Sequence, residues 1–157
     1  MASGPERVQA ALDALGVEAQ VVRLPDSTKT APLAAAAVGC AVAAIVKSLV
    51  FLAGEQPVVV LCPGDRRVNT ERLAALLGVP EITMAPAAVV RAATGYAIGG
   101  VPPLGHATPL PTYMERALLA WPVVYGAAGA HDALFPIDPR RLLEITGATL
   151  VEVGDPI

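Results

Sequence analysis

The chain has 157 residues, of which 54% are hydrophobic and only 4% aromatic, and its formal net charge is −3. This length suits one domain with a sizeable buried core, built here from small aliphatic side chains. With nine arginines and two lysines, the chain is not a protein that coats nucleic acid by neutralising phosphates along its length. A few cations could still grip one nucleic-acid end.

The N-terminal residues and the cysteines indicate the cellular compartment of the protein. No apolar run is long and uncharged enough to predict a membrane-spanning helix, and the first residues lack the regions of a signal peptide. Without a secretion signal, Cys40 and Cys62 are expected to stay reduced. We therefore expect a cytoplasmic protein with no membrane association, formed by a single domain over residues 1–157.

Helices are predicted where apolar residues recur every three or four positions, or where a capping residue precedes such a run. Thr30 suits the N-cap of a helix that Gly39 ends, and Asp138 with Pro139 suits the start of another. In chain order, the predicted helical segments cover residues 6–15, 30–39, 41–46, 71–77, 86–95, 113–120 and 140–146.

Strands are predicted where short apolar runs rich in β-branched residues lie between turn residues. Residues 54–56 separate two such runs and indicate a hairpin. Because the strands come in hairpin-like pairs and do not alternate strictly with helices, we expect an α+β fold with a mixed, mostly antiparallel sheet. The predicted strands cover residues 19–24, 48–53, 57–62, 123–126, 134–137 and 150–153.

Several common chemistries are not indicated by the motifs. Residues 100–105 match the start of a phosphate-binding loop, but His106 stands where that loop needs lysine, and Pro102 and Pro103 have no N–H to offer. The two histidines and two cysteines do not lie at metal-ligand spacing, so no metal site and no cofactor are predicted. Nothing points to a Ser-His-Asp triad, although residue order alone does not exclude one.

Lys47 is the first candidate functional residue, since it is one of only two lysines and interrupts the apolar run AAIVKSLVF. At a predicted helix-to-strand junction, its ammonium has two interpretations. It either extends to solvent at a helix end, where it favours the dipole, or it stands at the mouth of a pocket, ready for a phosphate or carboxylate. Lys29, in a polar loop, is expected to be solvated.

The stretch GYAIGGVPPLGH, residues 95–106, combines flexible and stiff residues. Gly99 and Gly100 can adopt positive φ and bring main-chain N–H groups close to a ligand carbonyl, while Pro102 and Pro103 fix the shape of the loop. The alternative is a plain surface turn between helices. This stretch is therefore a candidate site of main-chain donors held in place by prolines.

Other residues are weaker candidates. His106 either hydrogen-bonds a substrate or is a loop histidine exposed to water. The small residues of AAGAHD, residues 127–132, follow a predicted strand and could line the same cavity. Arg66 and Arg67 form a modest basic pair, which is either a solvated face or a contact to a nucleic-acid backbone.

Three stretches together resemble the YbaK/EbsC family of aminoacyl-tRNA deacylases, which is related to the editing domain of prolyl-tRNA synthetase. They are STKTAPLAAAAVGCAVAAIVKSLVF, GYAIGGVPPLGH and FPIDPRRLLEITGATLVEV, and the similarity covers residues 17–153. The lysine in IVKSLVF and the GxxxP loop at residues 99–103 are the specific parts of the match.

The resemblance implies a compact mixed sheet, partly barrel-like, with helices around it, and hydrolysis of a mischarged aminoacyl ester at the 3′ end of tRNA, most often tRNA(Pro). Lys47 would help to hold the terminal nucleotide, and residues 99–103 would position the aminoacyl carbonyl and shape the side-chain pocket. Lys47, Gly99 and Gly100 are therefore the predicted catalytic residues. The predicted substrate-binding residues are Thr28, Val101, Pro102, Pro103, His106 and Gly129.

Two departures from the family pattern leave open which amino acid is removed. Some members carry an aromatic residue near the first strand, where this chain has AQVVRL. Some members have serine before the proline of the loop, where this chain has Pro102.

An aminoacyl ester is already activated, so main-chain donors and a positioned water could suffice without a side-chain base. A pocket lined by Ala, Val and Gly would admit Ala, Ser, Cys or 2-aminobutyrate. The expected partner is the aminoacylated end of tRNA, with prolyl-tRNA synthetase as a second candidate. The alternatives are a non-catalytic tRNA- or protein-binding module on the same fold, and a hydrolase of another small ester or amide.

Overall fold

Capping residues set the ends of the α-helices in residues 2–157, the part of the chain that the computed structural model describes. The side chains of Ser3, Thr30, Asn69 and Asp138 each accept a hydrogen bond from an N–H of the turn that follows. None of these helices is long and apolar enough to cross a membrane. They are α1 (Gly4–Ala14), α2 (Ala31–Val38), α3 (Thr70–Leu77), α4 (Ala87–Thr94) and α5 (Pro139–Thr146).

The strands form one mixed sheet and a separate two-stranded pair. They are β1 (Val22–Arg23), β2 (Ile45–Ala53), β3 (Gln56–Pro63), β4 (Arg66–Val68), β5 (Ile82–Met84), β6 (Thr112–Glu115), β7 (Val124–Ala127), β8 (Ala133–Ile137), β9 (Thr149–Val151) and β10 (Gly154–Pro156). The sheet order is β1-β8-β7-β2-β3-β6-β9, with β5 also paired to β2, while β4 pairs with β10.

Antiparallel pairings outnumber parallel ones in this sheet. The pairs β1–β8, β7–β8, β2–β3 and β2–β5 are antiparallel, whereas β2–β7, β3–β6 and β6–β9 are parallel. The predicted α+β fold with a mixed, mostly antiparallel sheet is therefore confirmed. The pairing path has β1 and β9 as its two ends, so the sheet stays open along that path.

The helix predicted over residues 113–120 is wrong. Thr112–Glu115 form β6, and only Arg116–Ala120 are helical, as a 3₁₀ turn. β6 lies between β3 and β9, and pairing on both edges outweighs the helical pattern of this segment. The strands β4, β5 and β10 have three residues each and are not predicted from the sequence.

The strand predicted over residues 19–24 is reduced to Val22–Arg23, and Gln9 of α1 explains why. Its side-chain amide donates to the carbonyl of Ala19 at 3.0 Å and accepts from the N–H of Val21 at 2.8 Å, in place of a neighbouring strand. The helical turn predicted over residues 41–46 is also shorter. Only Val42–Ala44 are helical, because pairing with β7 already begins at Ile45.

The two edges of β2 are paired differently. β3 pairs with one edge along residues 46–53. The other edge is shared by two short strands, since β7 pairs with residues 45–46 and β5 with residues 51–53. Residues 47–49 have no partner there within the described part of the chain, and the carbonyl of Val50 accepts from the N–H of Ala85, just after β5. This gap in the sheet is where the cavity described below lies.

A buried carboxylate ties the end of the chain to the sheet. Glu115 is 3% exposed, and its two oxygens accept hydrogen bonds from the N–H groups of Ala117, Val153 and Gly154 at 2.7–2.9 Å. Arg66 of β4 in turn donates to the carbonyl of Gly154 at 2.9 Å. Glu115 therefore fixes the turn that carries β10, against which β4 is paired.

We predict that Glu115→Ala lowers the free energy of unfolding by about 3 kcal/mol or more, because it leaves buried N–H groups without partners. Urea unfolding followed by circular dichroism measures this change. Glu152→Ala is the matched control in the same turn, since its carboxylate pairs with Arg116 in an exposed salt bridge. It should shift stability by no more than about 0.5 kcal/mol. Equal unfolding midpoints for both variants would contradict the assigned role of Glu115.

Candidate functional site

A cavity of about 680 Å³ occupies the gap between β7 and β5 along the open edge of β2. Residues 45–50 of β2 form its floor. Residues 28–32, which lead into α2, form one wall. The turn after α4 forms another wall through Ile98, Gly99 and Val101. Three segments that are distant in sequence therefore line the same cavity.

Lys47 lines this cavity from within β2, not from a helix end. Its ammonium is half-buried and donates a hydrogen bond to the main-chain carbonyl of Arg66 in β4. An ammonium has three N–H donors, so this contact fixes its position and leaves two donors for a ligand. The interpretation as a cation at the mouth of a pocket fits this geometry, and the interpretation as a helix-end lysine does not.

The main chain turns sharply at Gly99. The N–H of Gly100 donates to the carbonyl of Ala97 at 3.0 Å, which closes a four-residue turn. Gly99 is the third residue of that turn and has a φ of 94°, a conformation that strongly favours glycine. The turn therefore uses the N–H of Gly100, whereas the N–H groups of Gly99 and Val101 have no hydrogen-bond partner within residues 2–157.

The remaining predicted residues of this loop lie behind the turn and do not line the cavity. The N–H of Gly129 donates to the carbonyl of Gly100 at 2.9 Å. A Cβ on Gly100 would lie 2.9 Å from the nitrogen of Ala130, so only glycine fits against this neighbour. Pro103 packs against Gly126 of β7. These contacts hold the turn at the end of the sheet.

His106 also supports the loop. Its Nε2 lies 2.7 Å from the carbonyl oxygen of Pro102, and burial lowers the pKa of His106 below its ordinary value. The ring is therefore neutral at neutral pH, and Nε2 carries the proton that it donates to Pro102. In this structure the histidine hydrogen-bonds the loop that precedes it, not the cavity.

The wall before α2 brings Thr28 and Lys29 to the cavity. The hydroxyl of Thr28 donates to the carbonyl of His131 at 3.0 Å, which joins this wall to the β7–β8 loop. Lys29 lies beside the glycine turn, since a Cβ on Gly99 would lie 3.3 Å from its Cβ. Sequence reasoning treated Lys29 as merely solvated, and no local pattern distinguishes it. Both lysines of the chain thus line one cavity.

The charge of the cavity contrasts with that of the chain. Both lysines are among its lining residues, and none of the lining side chains is acidic, although the net charge of the protein is −3. An anionic ligand group is therefore favoured there. The lining also lacks His and Cys. Cys62, paired opposite Lys47, lies outside the lining, and burial raises its pKa to about 11, so it remains an unreactive thiol at neutral pH.

These features limit the chemistry of the site. Within residues 2–157, no three metal-ligating side chains are clustered to hold an ion. The polar groups carried by the lining residues are two lysine ammoniums, the N–H groups of Gly99 and Val101, which have no partner within residues 2–157, and the hydroxyls of Thr28, Thr30 and Ser48. Such a set can bind a phosphate and stabilise a developing oxyanion.

The comparisons with known proteins agree with this arrangement. The model of the aminoacyl-tRNA editing domain matches residues 25–145. EbsC of Enterococcus faecalis, a candidate Cys-tRNA(Pro)/Cys-tRNA(Cys) deacylase, is 27% identical over 110 residues, covering 69% of this chain and 67% of its own. The proline–tRNA ligase of Solidesulfovibrio magneticus is 35% identical over 120 residues, which cover 73% of this chain but only 20% of the ligase.

Solved structures share the whole fold. A crystal structure of a candidate trans-editing enzyme for prolyl-tRNA synthetase superposes with a TM-score of 0.93 at 43% identity, over 99% of both chains. The family model covers well over half of this chain, and the motifs at Lys47 and Gly99 lie on one cavity. The chain therefore belongs to the aminoacyl-tRNA editing domain family, the YbaK/EbsC family that its motifs predicted.

Proposed function

We propose that the protein hydrolyses the ester bond of mischarged aminoacyl-tRNA, with tRNA(Pro) carrying Ala, Cys, Ser or 2-aminobutyrate as its substrate. One observation carries this proposal: Lys47 and the glycine turn at Gly99 line the same cavity. That cavity joins cationic groups, which suit a nucleotide phosphate, to main-chain donors, which suit an acyl carbonyl.

The reaction needs only water as co-reactant. Water attacks the ester carbonyl carbon, the C–O bond to the terminal ribose breaks, and the ribose hydroxyl leaves with a proton as the free amino acid forms. Negative charge develops on the carbonyl oxygen in the transition state. The N–H groups of Gly99 and Val101 are the free donors for it, and each such donor contributes roughly 10²–10³-fold in rate.

The two lysines account for binding of the tRNA end. Lys47 is held by the carbonyl of Arg66, while Lys29 is exposed at the rim beside Gly99. Neither needs to transfer a proton, because an ammonium stabilises a phosphate by its charge alone. Few cations are needed for this binding, since the protein contacts one end of the nucleic acid and not its whole length.

Selection of the amino acid follows from the cavity walls. Ala34, Val90, Val101 and Ala127 supply aliphatic surface, which suits a small side chain. A single methylene changes binding by only about 1–3 kcal/mol, so a synthetase cannot reject all small residues at its first site. A second site for small aminoacyl groups removes those errors. The relation to proline–tRNA ligases makes tRNA(Pro), and the ligase itself, the proposed partners.

One assay separates this function from its alternatives. The protein is incubated with tRNA(Pro) charged with labelled Ala, Cys, Ser, 2-aminobutyrate or Pro, and release of free amino acid is followed. We expect at least one small residue to be released well above the uncatalysed rate while Pro-tRNA(Pro) is spared. Binding without release would indicate a non-catalytic module. Turnover of small free esters with no effect on tRNA would indicate a different hydrolase.

We predict that Lys47→Ala lowers kcat/KM for the preferred aminoacyl-tRNA at least about tenfold, because the fixed cation is lost from the cavity. Arg140→Ala removes the same charge from an exposed residue outside the cavity and should change kcat/KM less than about twofold. Thermal unfolding confirms that both variants are folded. Wild-type rates for a folded Lys47→Ala protein would contradict the assignment.

Gly99→Ala should lower kcat at least about a hundredfold, since an alanine at this φ strains the turn that presents the free N–H groups. Gly78→Ala is the matched control, because its φ of 69° imposes a similar strain at the end of α3 with open space around the new methyl group. Both variants should lose about 1–2 kcal/mol of stability. Loss of activity in both variants would show that stability, not the turn, is responsible.

A further inference from the structure

We propose that the open edge of β2 at Ser48 binds the α-ammonium group of the aminoacyl substrate. This proposal rests on the proposed function and adds a binding subsite for a part of the substrate that the cations and the glycine turn do not contact. The subsite consists of the main-chain carbonyl and the hydroxyl of Ser48.

The direction of the Ser48 main chain follows from its neighbours in β2. The carbonyl of Ile45 accepts from Gly64 at the end of β3, whereas the carbonyl of Val50 accepts from Ala85 at the end of β5. Main-chain polar groups alternate between the two edges of a strand, so even-numbered residues face the β7–β5 edge. Ser48 therefore directs its N–H and carbonyl away from β3.

No strand meets Ser48 at that edge. Pairing with β7 stops at Val46, and pairing with β5 starts at Phe51, within residues 2–157. The cavity lies against this part of β2, and Ser48 is among its lining residues. An unpaired strand edge is a row of donors and acceptors that a ligand with main-chain-like groups can bind.

The side chain of Ser48 provides a second, independent observation. Its Oγ is buried, and no hydrogen-bond partner is present for it in residues 2–157. Side chains alternate along a strand, so Ser48 shares a face with Val46 and Val50, both of which are packed in the larger core cluster. A hydroxyl left without a partner among aliphatic groups lowers stability, and a ligand that supplies the missing bond explains its presence.

The other two hydroxyls at the cavity each have a hydrogen-bond partner. Thr28 donates its proton to His131, and Thr30 accepts from the N–H of Leu33 as the cap of α2. The carbonyl and the hydroxyl of Ser48 are both uncommitted acceptors.

An ammonium group is the ligand group that matches two neutral acceptors. It supplies several charge-assisted donors, and these form stronger bonds than neutral donors do. None of the lining side chains is acidic, so within the cavity no side-chain carboxylate competes with these neutral oxygens for the α-amino group. The side chain of Lys47 lies on the opposite face of β2 from that of Ser48, which keeps the two like charges apart.

The test compares three acyl groups on the same tRNA: the preferred amino acid, its N-acetyl derivative and the α-hydroxy acid of matching size. Each enzymatic kcat/KM is divided by the rate of uncatalysed hydrolysis of that ester. We expect the free amine to exceed both analogues at least about tenfold, because only the amine offers a charged donor. The α-hydroxy ester controls for the bulk of the acetyl group.

Variants of Ser48 test whether the preference for the free amine depends on this residue. Ser48→Ala should lower kcat/KM for the free amine about 3- to 30-fold, with a much smaller effect on the two analogues, whereas Ser48→Thr keeps the hydroxyl and should retain most activity. Because Oγ is unpartnered without ligand, the melting temperature of Ser48→Ala should be unchanged or higher. A residue of purely structural importance would give a lower melting temperature.

The outcomes are distinguishable. Equal normalised rates for amine and analogues, or an equal loss on all three substrates in Ser48→Ala, overturn the subsite and leave the deacylase proposal intact. Absence of hydrolysis of every acyl-tRNA overturns the proposed function itself, and the subsite with it.

Discussion

The site depends on an incomplete strand edge. β2 has a continuous partner, β3, on one side, but the other side is divided between β7 and β5, which leave residues 47–49 without a partner. A longer strand at either position would fill the gap with main chain and remove the cavity. Uncovered strand edges usually invite aggregation, so native proteins cover or interrupt them. Here the wall before α2 and the turn at Gly99 enclose the unpaired edge, so that the edge lines a pocket.

Two networks outside the cavity hold its parts in register. From one side, Glu115 fixes the turn before β10, β10 pairs with β4, and the carbonyl of Arg66 in β4 positions Lys47. From the other side, Gly129 and His106 hold the loop that follows Gly99. Rigid supports of this kind let main-chain N–H groups act without large rearrangement. In the proposed reaction, these donors act without a conventional catalytic side chain.

Capping chemistry made much of the fold predictable from sequence. Thr30 and Asp138 mark helix starts, and the hairpin of β2 and β3 follows from apolar runs around Gly54. The secondary-structure predictions fail where tertiary contacts determine the conformation of a segment. Gln9 satisfies the main chain of residues 19–21, and two neighbouring strands make a strand of Thr112–Glu115. Secondary-structure propensities describe residues locally and do not include contacts with residues that are remote in sequence.

The site was predictable only in part, for a similar reason. Lys47 and Gly99 stand out because a lone lysine in an apolar run and a glycine pair before prolines are unusual locally. Lys29 and Ser48 do not stand out, since their importance comes from the gap in the sheet and from what faces it. The loop and small-residue patterns placed His106 and Gly129 near the substrate, and the structure puts them behind the turn. Sequence patterns therefore identify the segments that form the site, whereas the fold shows which of their residues line the cavity and which support the loop behind it.

The most direct measurement is an NMR titration with a non-hydrolysable ligand, a 3′-amino-adenosine joined to alanine through an amide bond. If the strand gap and the glycine turn together form the binding site, the amide signals of Gly99, Val101 and Ser48 should shift with one common saturation curve. Shifts confined to the separate groove near Asn69 and Asp155, with no change at those three residues, would contradict the account.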